Sequence, residues 1–208
     1  MCSEEFSATN VVIFSPHIDD EVLGCFSFLK PGAHVVFGGV EERPSISREG
    51  RIEELESSCE ALGFTYELHD FPVNHYEQDL LIAPFEAVLE KTRPDTVLLP
   101  IRSYNQDHRA VHDAAWVATR PHDANWRVDR VLGFEQPHSE IWPYETHALP
   151  GCFKSIDIAA KLQAYKRYRS QVRGHRSLDT VAALAAMRGA TIGVAGAEAF
   201  HVYRWIDT

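Results

Sequence analysis

The chain has 208 residues, 45% hydrophobic and 24% charged, with a formal net charge of −10. That length suits one domain with a self-sufficient core, burying roughly 70% of the surface its unfolded form exposes. The acidic balance, without any Lys/Arg-rich block, argues against a nucleic-acid polyanion as main partner, and no apolar run approaches the roughly 20 residues of a membrane span.

Residues 1–10 are acidic and lack an apolar signal core, so they read as a loosely ordered lead-in. Cys2, Cys25, Cys59 and Cys152 are scattered without a CxxC pair, as expected of reduced thiols in a cytoplasmic protein. The composition leaves a homo-oligomer open.

Residues 11–14, Val-Val-Ile-Phe, form a β-branched run suited to a strand buried on both faces. Asp19 and Asp20 follow as helix-start residues, and Val22, Leu23, Phe26 and Leu29 mark a helical stripe ended by Pro31-Gly32. A strand is predicted near 34–38, then a helix over 45–62, where Ile52, Leu55, Cys59 and Leu62 recur and Gly63 stops it. A weaker strand at 65–68, a helix at 79–91 and a strand at 96–99 closed by Pro100 come next. Residues 107–119 are helical in pattern and 130–134 form a fifth strand.

Residues 135–151 hold His, Pro and Trp without a period and read as a long loop serving a site. Helices at 158–168 and 178–188 and a closing strand at 200–205 complete the chain. This alternation predicts a single Rossmann-like α/β domain, its mainly parallel sheet covered by helices on both faces.

Ser15-Pro16-His17-Ile18-Asp19-Asp20-Glu21 lies at the carboxyl end of the first strand, where open α/β sheets bind ligands. An imidazole and two carboxylates packed together there are costly unless a cation satisfies them. The plain alternative is a helix N-cap beside a surface His. The helix N-terminus favours ionised carboxylates, and neighbouring side chains diverge, so one Asp can ligate while the other stays free as a base. Asn105-Gln106-Asp107-His108-Arg109-Ala110-Val111-His112 follows the strand at 96–99, so the two loops can converge. His17, Asp20 and His108 then make a two-His, one-carboxylate set with an open position, as in catalytic zinc sites. His108 and His112 are four apart, but Arg109 stands where the HExxH pattern needs Glu, which leaves His112 as a packing residue or a support for the ligands.

The pairing of Pro16-His17-Ile18-Asp19-Asp20-Glu21 with Asp107-His108 resembles the PIG-L/LmbE-type deacetylase family. So do Arg51-x-x-Glu54 with Leu62-Gly63, Phe134-Glu135, Lys161, Ser170-Gln171, Arg176-Ser177, Arg188-Gly189 and Ala197-Glu198-Ala199-Phe200, in that order. The resemblance implies hydrolysis of the acetamide of an N-acetylglucosamine-type sugar or conjugate, releasing acetate and a free amine. It implies Zn2+, with Fe2+ or another divalent ion as alternatives, held by His17, Asp20 and His108, and Asp19 as general base. An N-acylated natural-product intermediate as substrate, and a metal-containing binding domain without turnover, are the competing readings.

Asp107 has two readings, acceptor for an imidazole N–H beside the metal and helix N-cap. Asn105 stands where many members carry a second His; an amide can donate a hydrogen bond to an oxyanion but cannot supply a proton. Either Asp19, once protonated, returns its proton to the leaving amine, or Tyr104, His138 or His175, which are also candidate substrate contacts, supplies the missing acid. Arg51 and Glu135 are candidate substrate contacts, the latter against an ion pair with Arg176 or Arg188. Glu198 carries the same pair of readings, and Trp142 and Tyr144 either stack on a sugar ring or anchor the loop.

Overall fold

The computed structural model describes residues 10–121, 126–145 and 148–207; Cys2 and most of the lead-in over 1–10 lie outside them. In chain order the elements are β1 (Val11–Ser15), α1 (Asp20–Cys25), β2 (Ala33–Phe37), α2 (Arg48–Leu62), β3 (Thr65–Leu68) and α3 (Gln78–Thr92). They continue with β4 (Thr96–Pro100), α4 (Gln106–Ala118), β5 (Arg130–Phe134), α5 (Pro137–Ile141), β6 (Cys152–Ser155), α6 (Ile158–Tyr165), α7 (Leu178–Thr191) and β7 (Ala197–Trp205).

The strands form one 7-stranded sheet in the order β3-β2-β1-β4-β5-β7-β6. The first five pair in parallel; β7 runs antiparallel to both β5 and β6. Successive strand residues face opposite sides. Ile13, Val35, Phe37, Leu98, Leu132 and Phe134 pack with residues of α1, α2, α6 and α7. Val12, Phe14, Val36, Val97, Leu99 and Val131 pack with α3 and α4 on the other side. Each such side chain contributes roughly 1.5–3 kcal/mol by leaving water.

From β1 the chain winds outward through β2 and β3, then returns to lay β4 on the other side of β1. The strand order therefore reverses between β1 and β4, and a crevice opens beyond their carboxyl ends. The segments leaving those two strands are the two that carry His17 and His108.

Several boundaries differ from the sequence pattern for local reasons. α1 stops at Cys25 because the N–H groups of Phe26 and Ser27 donate to the Glu198 carboxylate, at 2.9 and 2.8 Å, and a 3₁₀ turn follows. β6 was not predicted: Cys-Phe-Lys-Ser is short and only half-buried at the sheet edge, so it shows no alternation. Residues 135–151 are not loop throughout, since α5 forms within them from Pro137, with Ser139 Oγ accepting from the Gln136 N–H at 3.1 Å. Five residues are too few to show a helical period. α6 ends at Tyr165 rather than at 168, and the chain after it turns back toward α1, where the Tyr168 hydroxyl donates to Glu21.

Candidate active site

The loop after β1 is held by three separate elements. Tyr76 donates to the Pro16 carbonyl at 2.9 Å, the Arg51 guanidinium donates to the Ile18 carbonyl, and Ser15 Oγ donates to the His17 carbonyl at 3.0 Å. Asp19 is forced to φ 115°, a left-handed conformation that non-glycine residues rarely adopt, while its N–H donates to Glu21 at 2.9 Å. Strain of this kind persists only where the surroundings over-determine it, and it clusters at functional sites. Its consequence is that Asp19 and Asp20 point their carboxylates apart.

Asp20 turns toward the two histidines. Its Oδ2 lies 3.3 Å from His17 Nδ1 and 3.1 Å from His108 Nε2. Ligand atoms of the three side chains all fall within 4.8 Å of one another, and all three residues are buried. His108 Nε2 and Asp20 Oδ1 are buried and have no hydrogen-bond partner among the described residues. The His108 approach to Asp20 is off hydrogen-bond alignment, as expected of atoms aimed at a common point rather than at each other.

Charge points the same way. Burial disfavours the imidazolium of His17, yet hydrogen bonds to Asp107 and Asp20 outweigh it and push its pKa up to about 9. Burial also opposes ionisation of Asp20, but His108 and then His17 hold its carboxyl well below the usual range. The cluster stabilises positive charge, and these donors fit a divalent cation.

Asp107 accepts from the His17 ring at Nε2, 2.8 Å away. The backbone N–H groups of Asn74 and Tyr76 donate to the same carboxylate at 2.6 and 3.3 Å. With Nε2–H fixed there, Nδ1 is the nitrogen His17 offers a cation. The α4 cap belongs to Asn105, whose side chain accepts from Asp107 N at 2.9 Å. Asp107→Asn should therefore retain its fold but lower affinity for Zn2+ about 10- to 100-fold, because a neutral amide oxygen, already receiving the Asn74 N–H, accepts the Nε2–H more weakly and leaves the ring a poorer donor to the ion. Titration against a competing chelator measures this; affinity equal to wild type would remove Asp107 from the site.

Asp19 turns the other way. Its Oδ2 accepts from Arg176 Nη1 at 3.0 Å, while Oδ1 is buried without a partner. Burial raises its pKa to about 6, with Arg176 opposing. The plain alternative of an N-cap beside a surface histidine does not hold: the Asp19 side chain caps nothing and His17 is only 8% exposed.

Four other candidates stand around this group. His138 on α5 is 2% exposed and meets the His108 ring edge-on, centroids 4.8 Å apart. Tyr104, Trp142 and His175 form an aromatic rim beyond it, with Trp142–His175 and Trp142–Tyr104 centroids at 4.9 and 5.7 Å. Tyr144 instead lies under the Arg109 guanidinium.

Two candidates are engaged structurally. Arg51 is buried, its guanidinium held by Ile18, Glu54 and Ser170, which makes it a brace of the loop rather than a substrate contact. Glu135 forms a two-pronged ion pair with Arg188 at 2.7 and 2.9 Å and also meets His201. Glu198 likewise receives Lys161, and His112 bonds the Pro100 carbonyl, outside the metal-type group.

Arg176, Asn74, Tyr76 and Tyr168 are the site residues that motif spacing did not identify. Only Arg176-Ser177 carried any signal, as part of the tail resemblance.

A profile of the PIG-L family, described as GlcNAc-PI de-N-acetylase, matches residues 12–119. That stretch runs from β1 through α4 and contains both converging loops. No curated protein matches the chain. Among solved structures, the chain is similar to a conserved protein of Thermus thermophilus, at 21% identity over 96% of this chain and 97% of that one, TM-score 0.74. It is similar to the 4-carboxy-2-hydroxymuconate hydratase of Pseudomonas putida, at 19% identity over 95% and 97%, TM-score 0.73. It is also similar to the N,N'-diacetylchitobiose deacetylase of Pyrococcus horikoshii, at 20% identity over 95% and 87%, TM-score 0.69. At these identities the likeness establishes the fold.

Proposed function

The chain belongs to the PIG-L family, and from that premise we propose that it is a metal-dependent hydrolase removing the acetyl group from an N-acetylglucosamine-type sugar or conjugate. The observation that carries this reading is the buried His17–Asp20–His108 group beside an Asp19 carboxylate with one oxygen free. The fold alone does not choose a reaction, because a hydratase shares it with a deacetylase. A free carboxylate next to a ligating one is what amide hydrolysis requires and what a binding domain without turnover has no use for. An N-acylated natural product would present the same acetamide to the same groups.

His17 through Nδ1, Asp20 and His108 through Nε2 would hold the ion. Zn2+ is the reading we adopt, and Fe2+ suits the same two-His, one-carboxylate donors. Such an ion supplies Lewis acidity toward water and the acyl carbonyl. Asp19 Oδ1 receives the proton that water loses on attack, while Arg176 on Oδ2 keeps the carboxylate turned into the crevice. Protonated Asp19 is then placed to return that proton to the departing amine. Asp107 fixes the His17 tautomer throughout. The reaction converts amide and water to acetate and a free amine.

Among the described residues no helix is long and apolar enough to cross a membrane, and a small N-acetylated sugar conjugate met in the cytoplasm is the substrate we favour. Zn2+-loaded protein should release acetate and amine in equal amounts from at least one N-acetylglucosamine glycoside, measured by coupled acetate assay and amine labelling. Fully loaded protein that frees no acetate from any such conjugate would remove the deacetylase reading.

A further inference from the structure

Among the described residues, His138 is the one buried side chain facing the candidate metal group that nothing yet explains. It is 2% exposed, and neither Nδ1 nor Nε2 has a hydrogen-bond partner among the described residues. Leaving a buried polar group unsatisfied costs about 1–3 kcal/mol, so a histidine placed this way is not filler. An apolar ring would pack against His108 equally well.

Its position is held firmly. Pro137 opens α5, Ser139 Oγ accepts from the Gln136 N–H at 3.1 Å and donates to the Gln136 carbonyl at 2.8 Å, and Gln136 Nε2 donates to the Asp20 carbonyl at 3.4 Å. The ring stands between His108 on one side, at 4.8 Å, and Tyr104 and His175 on the other, at 5.6 and 6.5 Å between centroids. An imidazole in either protonation state carries at least one ring N–H to donate.

The other candidates lack this combination. Tyr104 is 47% exposed at the rim, and Asn105 is only half-buried, its Oδ1 held in the α4 cap. His175 is less buried than His138 and packs on Trp142.

We propose that His138 donates its ring N–H to the acyl oxygen of the substrate, the hydrogen bond that strengthens as negative charge gathers there. This rests on the hydrolase reading above and assigns His138 a substrate contact, not a place among the metal ligands. A preorganised donor of this kind typically contributes 10²- to 10³-fold; where a cation shares the oxygen, about 10- to 100-fold is expected.

Two variants separate donor from packing. His138→Phe fills the space without a donor, and His138→Gln restores an N–H. Both should carry wild-type amounts of Zn2+ by elemental analysis and melt within a few degrees of wild type. In His138→Phe, kcat should fall about 10- to 100-fold with KM changed by less than about 3-fold, and His138→Gln should recover much of the loss. Acetate, titrated calorimetrically into the Zn2+-loaded proteins, reads the same hydrogen bond without any substrate. It should bind His138→Phe about 10-fold more weakly than wild type.

Wild type that releases acetate from nothing while His138→Phe still weakens acetate binding would sink the deacetylase reading and leave the donor standing. Equal kcat together with equal acetate uptake in wild type and His138→Phe, including none by either, overturns the proposal. So does loss of Zn2+ from His138→Gln, which would make His138 a ligand.

Discussion

His108→Ala and His17→Ala should each lose most bound divalent cation, and the double variant nearly all of it. Purified wild type should carry close to one ion per chain after dialysis. The expectation follows from geometry: three ligand atoms within 4.8 Å of one another, each on a buried residue. A cation site of three protein donors that loses one keeps two, too few to exclude water and hold a defined geometry. Neither truncation should unfold the chain, because β1 and β4 are anchored by their own apolar residues on both sheet faces. Relief of the unsatisfied His108 Nε2 offsets part of the cavity that His108→Ala leaves. Elemental analysis beside a thermal melt distinguishes loss of the site from loss of the fold. Full occupancy in the folded double variant would end the assignment.

The sequence patterns that foretold this site are local ones. β1 and β4 are buried on both faces, so they read as continuous apolar runs, and polar residues clustered just past such strands are costly without a partner. Sheet order then brings the two clusters together, because β1 and β4 are neighbours. What stayed hidden depends on contacts between distant residues. Arg176 reaches Asp19 across 157 positions, and Asp107 reaches His17 across 90, bypassing its own neighbour His108.

Nothing in the Asn105–His108 spacing distinguishes Asp107 as cap from Asp107 as acceptor. The segment 69–77, which supplies the two backbone donors, had no apparent role in the sequence. The same holds for Glu135: its sequence position leaves substrate contact and ion pairing equally open, and only the approach of Arg188 from α7 decides between them. β6 and α5 were missed for a different reason, being too short for any period to register.

Asp19→Asn should keep the metal and lose about 10²- to 10⁴-fold in kcat. The substitution is unusually clean at this position. Asp19 sits at φ 115°, and asparagine tolerates positive φ better than most residues, so the loop should keep its course. The amide oxygen can still accept from Arg176, as Asp19 Oδ2 does now. What disappears is the basic oxygen at Oδ1, which is buried, unpartnered and turned away from the Asp20 carboxylate facing the histidines. Asp20→Asn makes the opposite change: it weakens the set facing His17 and His108, so the ion should be lost and activity with it, recoverable in part by excess Zn2+. The two variants are therefore separated by metal content before any rate is measured. If Asp19→Asn sheds the ion while Asp20→Asn retains it, the two carboxylates have exchanged roles. If Asp19→Asn keeps both ion and kcat, the proton acceptor lies elsewhere, and the ion pair with Arg176 serves only to brace the strained turn.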